Sequence, residues 1–267
     1  MVWTVLALAG SIVVHGHRGA RAVLPENTMA AFEHAIAAGA DFIELDVAVT
    51  RDNVPVISHD PVLPESLCTG PAGTRTVREM TFEEVRRFEC GSRTNPAFPK
   101  QKAAPGARIP SLDEVLALPG KFHFNIELKS YPDRPALTPA PDEFARLVYD
   151  VIRTRGVEDR ALVQSFDFRP LRELRKIAPT IRISALLGGK DTRDWIEVSR
   201  EAGGAIIIAP EQSLVTRERV EAAHKAGLKV IPWTVNEPAD WQRLIGLGVD
   251  GIITDDPAAL LNTLKRE

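Results

Sequence analysis

Residues 215–255 read VTRERVEAAHKAGLKVIPWTVNEPADWQRLIGLGVDGIITD. Apolar positions recur at helical spacing over 215–226 and stop at Gly227. A short β-branched strand follows at 228–233. Pro238 opens a second helix, 238–247, which Gly248 stops before the strand 251–254. A helix ended by glycine and followed at once by a short apolar strand is the sequence mark of a parallel βα unit. Working back toward the N-terminus, the unit repeats. Strands are expected at 205–208, 181–187, 161–165, 122–128 and 42–47, with a first one ending at Val13-Val14. Helices are expected at 192–201, 169–177 and 141–155, after a capping box at Ser111-Leu-Asp-Glu114, and from Thr28 to the stop at Gly39. Eight strands, each followed by a helix, in about 250 residues favour a closed barrel over an open doubly wound sheet. No G-x-G-x-x-G follows the first strand, which removes the main support for a dinucleotide fold. The expectation is an α/β protein, a (β/α)8 TIM barrel forming one domain over 1–267.

The rhythm breaks once. Residues 54–57 contain Pro55 and read as a hairpin or edge strand. From about 61 to 110, glycine, proline and threonine dominate, with one helical stretch at 81–88. A segment of this length without barrel rhythm reads as a small insertion over the functional end, after the second strand. Cys68 and Cys90 both fall in it. They are two separate thiols of a cytosolic protein or one disulfide of an oxidising compartment. With no histidine nearby they make no zinc site.

Of 267 residues, 44% are hydrophobic and 26% charged, and the net charge of −3 argues against a nucleic-acid partner. Residues 1–9 (MVWTVLALA) are apolar but lack a leading Lys or Arg, and are shorter than the ~15–30 residues of a secretory signal. They read as a truncated signal, a barrel cap or the start of the first strand. A cytoplasmic location is expected, with a periplasmic or secreted one behind a truncated signal as the alternative. No other run approaches the ~18 apolar residues of a span, so stable membrane insertion is not expected.

In a parallel barrel the active site lies at the C-terminal ends of the strands. Polar residues crowd there. They are His17 and Arg18, then Glu44 and Asp46 with His59 just beyond, then Asn125, Glu127 and Lys129, then Gln164 and Ser165, then Trp233, Thr234 and Asn236, then Thr254 and Asp255. Glu44 and Asp46 share one strand face, about 6.6–7 Å apart. Glu44, Asp46 and Glu127 cannot share a pocket as bare anions. A divalent cation would resolve the repulsion, and oxygen-only ligands point to Mg²⁺ or Ca²⁺. The alternative is an ion network with Arg18 and Lys129. His17 and His59 suit an acid and a base, and Arg18 with Lys129 suits a phosphate clamp. His15 shares the parity of His17 and reads as core or as support beneath the site.

His17-Arg18-Gly19, Pro25-Glu26-Asn27-Thr28, Glu44-x-Asp46 and His59-Asp60 resemble the glycerophosphodiester phosphodiesterase family. Asn125-Ile-Glu127-Leu-Lys129, Gln164-Ser165-Phe166, Trp233-Thr234-Val-Asn236 and Gly251-Ile-Ile-Thr-Asp255 continue the likeness in the family's order. The resemblance covers His15 to the C-terminus. It implies hydrolysis of small glycerophosphodiesters to glycerol 3-phosphate and an alcohol. It also implies metal ligation by Glu44, Asp46 and Glu127, acid–base work by His17 and His59, and phosphate binding by Arg18 and Lys129. Glu26 and Trp233 fall in motif positions by the substrate, Trp233 as a wall for the alcohol. Competing readings are a lysophospholipase D or sphingomyelinase D-like activity on the same barrel, and a non-catalytic phosphate-binding barrel.

Overall fold

The structure is a computed structural model and describes residues 12–265; the apolar run at 1–9 lies outside them. Among the described residues, nine strands form one sheet: β1 (Val13–Gly16), β2 (Phe42–Val49), β3 (Pro55–Ile57), β4 (His123–Leu128), β5 (Ala161–Ser165), β6 (Arg182–Leu187), β7 (Ile207–Pro210), β8 (Lys229–Val230) and β9 (Gly251–Thr254). Eight are parallel in the order β8-β7-β6-β5-β4-β2-β1-β9, and β3 folds back antiparallel on β2. Between β8 and β9, Asp250 N–H donates to Val230 O at 2.9 Å and Ile253 N–H to Pro232 O at 3.0 Å. The sheet thus rolls into the expected (β/α)8 barrel. Pro232 has no N–H to give, and this shortens β8 relative to the 228–233 strand read from the sequence.

The strand at 205–208 forms instead at Ile207–Pro210. Gly203 and Gly204 both take the left-handed conformation. The Ala205 N–H then turns to Ser199 O, while the Ser199 hydroxyl donates to Ala205 O. Both backbone groups of Ala205 are spent on the preceding helix, so sheet pairing starts later. The helix expected at 192–201 likewise begins only at Trp195, because Asp194 caps the N–H groups of Ile196 and Glu197.

Every residue of β2 is buried. Ile43, Leu45 and Val47 face the helices and join Phe124, Ile126, Leu128 and Val163 in the main core. The opposite face looks into the barrel, where Phe42, Leu162, Ile207, Ile231 and Ile253 fill the lower layer. Alternation in this strand therefore separates two interiors, and its acidic residues lie above an apolar floor.

The insertion has its own small core of Leu63, Val77, Met80, Val85, Phe88 and Ile109 against Val56 of β3. Its helix is a single turn, Phe82–Val85, opened by a capping box between Thr81 and Glu84. Cys68 and Cys90 are joined as a disulfide across 22 residues of chain. The segment docks on the loop after β1, where the Gln101 amide donates to Arg21 O and Leu24 O, and Lys102 N–H to Val23 O. Loop-closure entropy assigns this bridge about 3 kcal/mol. Reduction should therefore open 61–110 to limited proteolysis while the barrel's melting temperature holds. Equal protease resistance with and without reductant would contradict this.

Candidate active site

The end of β1 makes a tight turn. Arg18 sits at φ +50° and Gly19 at +85°. A Cβ on Gly19 would lie 2.6 Å from the Ala31 carbonyl carbon, so only glycine fits between the loop and the following helix (Met29–Ala37). The turn aims consecutive side chains in different directions. His17 Nδ1 meets Asp255 Oδ1 at 2.6 Å. The second oxygen of Asp255 accepts from Asn236 Nδ2 at 2.7 Å, and Asn236 Oδ1 accepts the Asp255 N–H. Because a carboxylate only accepts, Nδ1 of His17 carries the proton and Nε2 is the nitrogen left for substrate. Burial pushes the His17 pKa down, Asp255 opposes this, and Arg18 and Arg21 add to it. For Asp255, burial works upward, but the bond from His17 and the charge of Arg21 hold the carboxyl below the usual range.

Arg18 reaches three acids. Its backbone N–H donates to Glu44 Oε2 at 2.8 Å, its Nη1 to Glu26 Oε1 at 2.6 Å, and its Nε lies 3.2 Å from Asp46 Oδ2. Glu26, expected at the substrate, holds Arg18 and also lines the pocket at the mouth. Asn27, also left-handed, donates its amide to Asp46 Oδ2 at 2.8 Å.

Register brings the carboxylates together. Asp46 pairs with Glu127, and Glu44 with Asn125 one layer down. Ligand oxygens of Glu44, Asp46 and Glu127 lie within 4.8 Å of one another, all three buried. Burial and the charges of Asp46 and Glu127 push Glu44 well above the ordinary carboxylate range. Burial also raises Glu127, with Lys129 opposing and Asp46 adding. For Asp46, burial is overcome by Arg18 and Lys129, which hold it far below its usual value. Lys129 Nζ stands 2.7 Å from Glu127 Oε1 and 3.6 Å from Asp46 Oδ1. Asp46 Oδ1 is nevertheless buried without a hydrogen bond. An orphaned anionic oxygen beside two further carboxylates fits a hard divalent cation, and Glu44, Asp46 and Glu127 are the residues to hold it.

His59 follows β3 and is one-third exposed; its Nδ1 bonds Asp60 Oδ1 at 2.8 Å. Both histidines therefore carry a carboxylate on Nδ1. Trp233 donates Nε1 to Ala209 O and meets Phe166 edge to face at 5.3 Å. Phe166, 44% exposed, extends this aromatic rim at the end of β5. Across the mouth, Glu26, His59, Leu67, Arg93 and the cystine line a pocket. His15 lies beneath, stacked on Phe42 at 4.2 Å and within 3.3 Å of Asn125 Nδ2. Burial pushes its pKa down to about 3, which keeps it neutral. His224 is paired with Asp250 at the far end of the strands, and His123 with Arg182.

Sequence reading placed Asp255, Asn236, Asn27, Asn125 and Gln164 at strand ends or in motifs without assigning them a part. Parity was the available signal for Asp255, which stands two residues beyond the inward-facing Ile253.

The sequence profile of the glycerophosphoryl diester phosphodiesterase family matches residues 17–259. The chain belongs to this family. It is an enzyme of the phosphoric diester hydrolase class. The chain is 36% identical over 256 residues to the glycerophosphodiester phosphodiesterase of Caldanaerobacter subterraneus subsp. tengcongensis, covering 95% of this chain and 98% of that protein. A Silicibacter pomeroyi crystal structure, provisionally assigned to the family, superposes with a TM-score of 0.87 at 34% identity, over 96% of this chain and 94% of that one. An Oleispira antarctica phosphodiesterase solved with the product sn-glycerol-3-phosphate superposes at 0.80 over 94% and 96%; at 23% identity that likeness is one of fold. Across the family match, the two histidines, the two cations and the three acids quoted above all fall inside the matched residues.

Proposed function

We propose that this enzyme hydrolyses small glycerophosphodiesters to glycerol 3-phosphate and an alcohol, using His17 and His59 as a proton-transfer pair. The reading rests on one observation above the others. Two carboxylate-backed imidazoles and two cations stand at the mouth of one barrel, around three buried carboxylates. Glu44, Asp46 and Glu127 would hold a Mg²⁺ or Ca²⁺ ion, which would supply positive charge beside the phosphate. Arg18 and Lys129 add to it and orient the phosphate. One imidazole takes a proton from the nucleophile, either water directly or the glycerol 2-hydroxyl in a first step whose cyclic phosphate water then opens, while the other delivers a proton to the departing alkoxide. Asp255 and Asp60 keep each ring's Nδ1 protonated, so that Nε2 does the transfer. The barrel acts as one domain, with 61–110 covering one side of the mouth.

A second reading has an observation of its own. The Phe166–Trp233 rim is the apolar feature that a lysolipid substrate of a lysophospholipase D-like enzyme would use. Turnover of glycerophosphocholine against lysophosphatidylcholine separates the two. The headgroup diester should be at least ~10-fold the better substrate by kcat/KM, and a preference for the lysolipid would install the second reading. Among the described residues no helix is long and apolar enough to cross a membrane. The Cys68–Cys90 bridge supports the periplasmic or secreted alternative over the cytoplasm.

A further inference from the structure

Three buried side chains on neighbouring strands form a directed chain that ends in the acidic cluster. Asn125 Nδ2 lies 3.0 Å from Gln164 Oε1, and Gln164 Nε2 lies 3.1 Å from Glu44 Oε1. The direction follows from chemistry. The Glu44 carboxylate accepts only, so Gln164 must present its NH₂ to it and turn its carbonyl to Asn125, which must then donate. Asn125 uses its other N–H toward His15 Nδ1 at 3.3 Å, and its own Oδ1 is left buried with no hydrogen bond. A buried unpaired carbonyl costs about 1–3 kcal/mol. Turning the Asn125 amide over would bring that oxygen toward Gln164 Oε1 and break the chain. The Arg18 N–H holds the other oxygen, Glu44 Oε2. Glu44 is thus gripped at both oxygens, and no lysine or arginine side chain is hydrogen-bonded to it among the described residues, unlike Glu127 with Lys129.

We infer that Gln164 is a positioning residue, oriented by Asn125, that fixes the Glu44 carboxylate for the divalent cation. This rests on the reading that the three carboxylates hold such an ion. Outer partners of metal ligands are commonly worth 10–100-fold in metal affinity. Asn125 acts only through Gln164, so the two must be coupled.

The test is calorimetric titration of Ca²⁺, and separately Mg²⁺, into full-length protein stripped with EDTA and dialysed. Apo melting temperatures run in parallel. Gln164→Met keeps the volume and removes the donor, and should weaken binding of the ion by at least ~10-fold. Asn125→Leu should weaken it too, and adding it to Gln164→Met should cost less than a further twofold. Gln164→Asn keeps an amide but falls a methylene short of Glu44. It should weaken binding as Gln164→Met does, and it carries the test should the methionine variant not fold. Affinities of folded Gln164 variants within twofold of wild type would overturn the inference. So would losses from Asn125 and Gln164 that simply multiply. Failure of the wild-type protein to bind either ion is a separate result, which removes the cation reading and this inference with it.

Discussion

His17→Ala and His59→Ala should each lower kcat/KM for glycerophosphocholine by at least ~100-fold, the His59 variant with a melting temperature close to wild type. The magnitude is that of losing one general acid or base in a two-sided proton transfer. Geometry gives the two rings equal standing. Each has Nδ1 committed to a carboxylate, at 2.6 Å for His17 and 2.8 Å for His59, so each offers Nε2 alone. Both side chains sit on loops beyond the strand ends; His59 is one-third exposed, whereas His17 is largely buried on Asp255, so its alanine variant should also lose about 1–3 kcal/mol of stability. Asp255→Asn provides the companion measurement. An amide at this position can present its NH₂ to the ring and reverse the tautomer, so turnover should fall while substrate binding holds. Rates near wild type in both alanine variants would sink the two-histidine mechanism.

Removal of divalent cations should abolish turnover, and Mg²⁺ or Ca²⁺ should restore it. Without an ion, carboxylates within 4.8 Å of one another repel, and burial offers no solvent to screen them. The upward push on Glu44 and Glu127 records that conflict. Lys129 and Arg18 relieve part of it, at Glu127 and Asp46, but leave Asp46 Oδ1 without a hydrogen bond. In the stripped protein that repulsion goes unrelieved, and the phosphate loses its main positive partner. EDTA-treated enzyme assayed before and after metal addition checks this. Full activity surviving verified metal removal would leave the carboxylates as an ion network with Arg18 and Lys129.

The barrel was legible because its units are local. A glycine after each of several helices and a short β-branched run after it need no tertiary information, and the strand-end polar residues could be collected from parity. Ala205 shows where this stops. The strand begins two residues late because a helix four residues upstream takes both of its backbone groups. Pro232 interrupts a strand whose carbonyls still pair. The cysteines were open to two readings, since pairing depends on where two irregular loops meet.

The site divides in the same way. Residue types and their place at strand ends follow from the sequence alone, because a strand's alternation decides which side chains enter the barrel. Which of them touch does not follow, because contacts between strands depend on register across the sheet. Register sets Asp46 beside Glu127 and Glu44 beside Asn125. Loop closure sets Glu26 on Arg18 and His17 on Asp255. The sequence by itself determined a (β/α)8 barrel with two histidines, two cations and three acids at its functional end. Only the tertiary structure decided which groups serve as partners of the others, since hydrogen bonds join residues 8 to 238 positions apart and no local pattern encodes them.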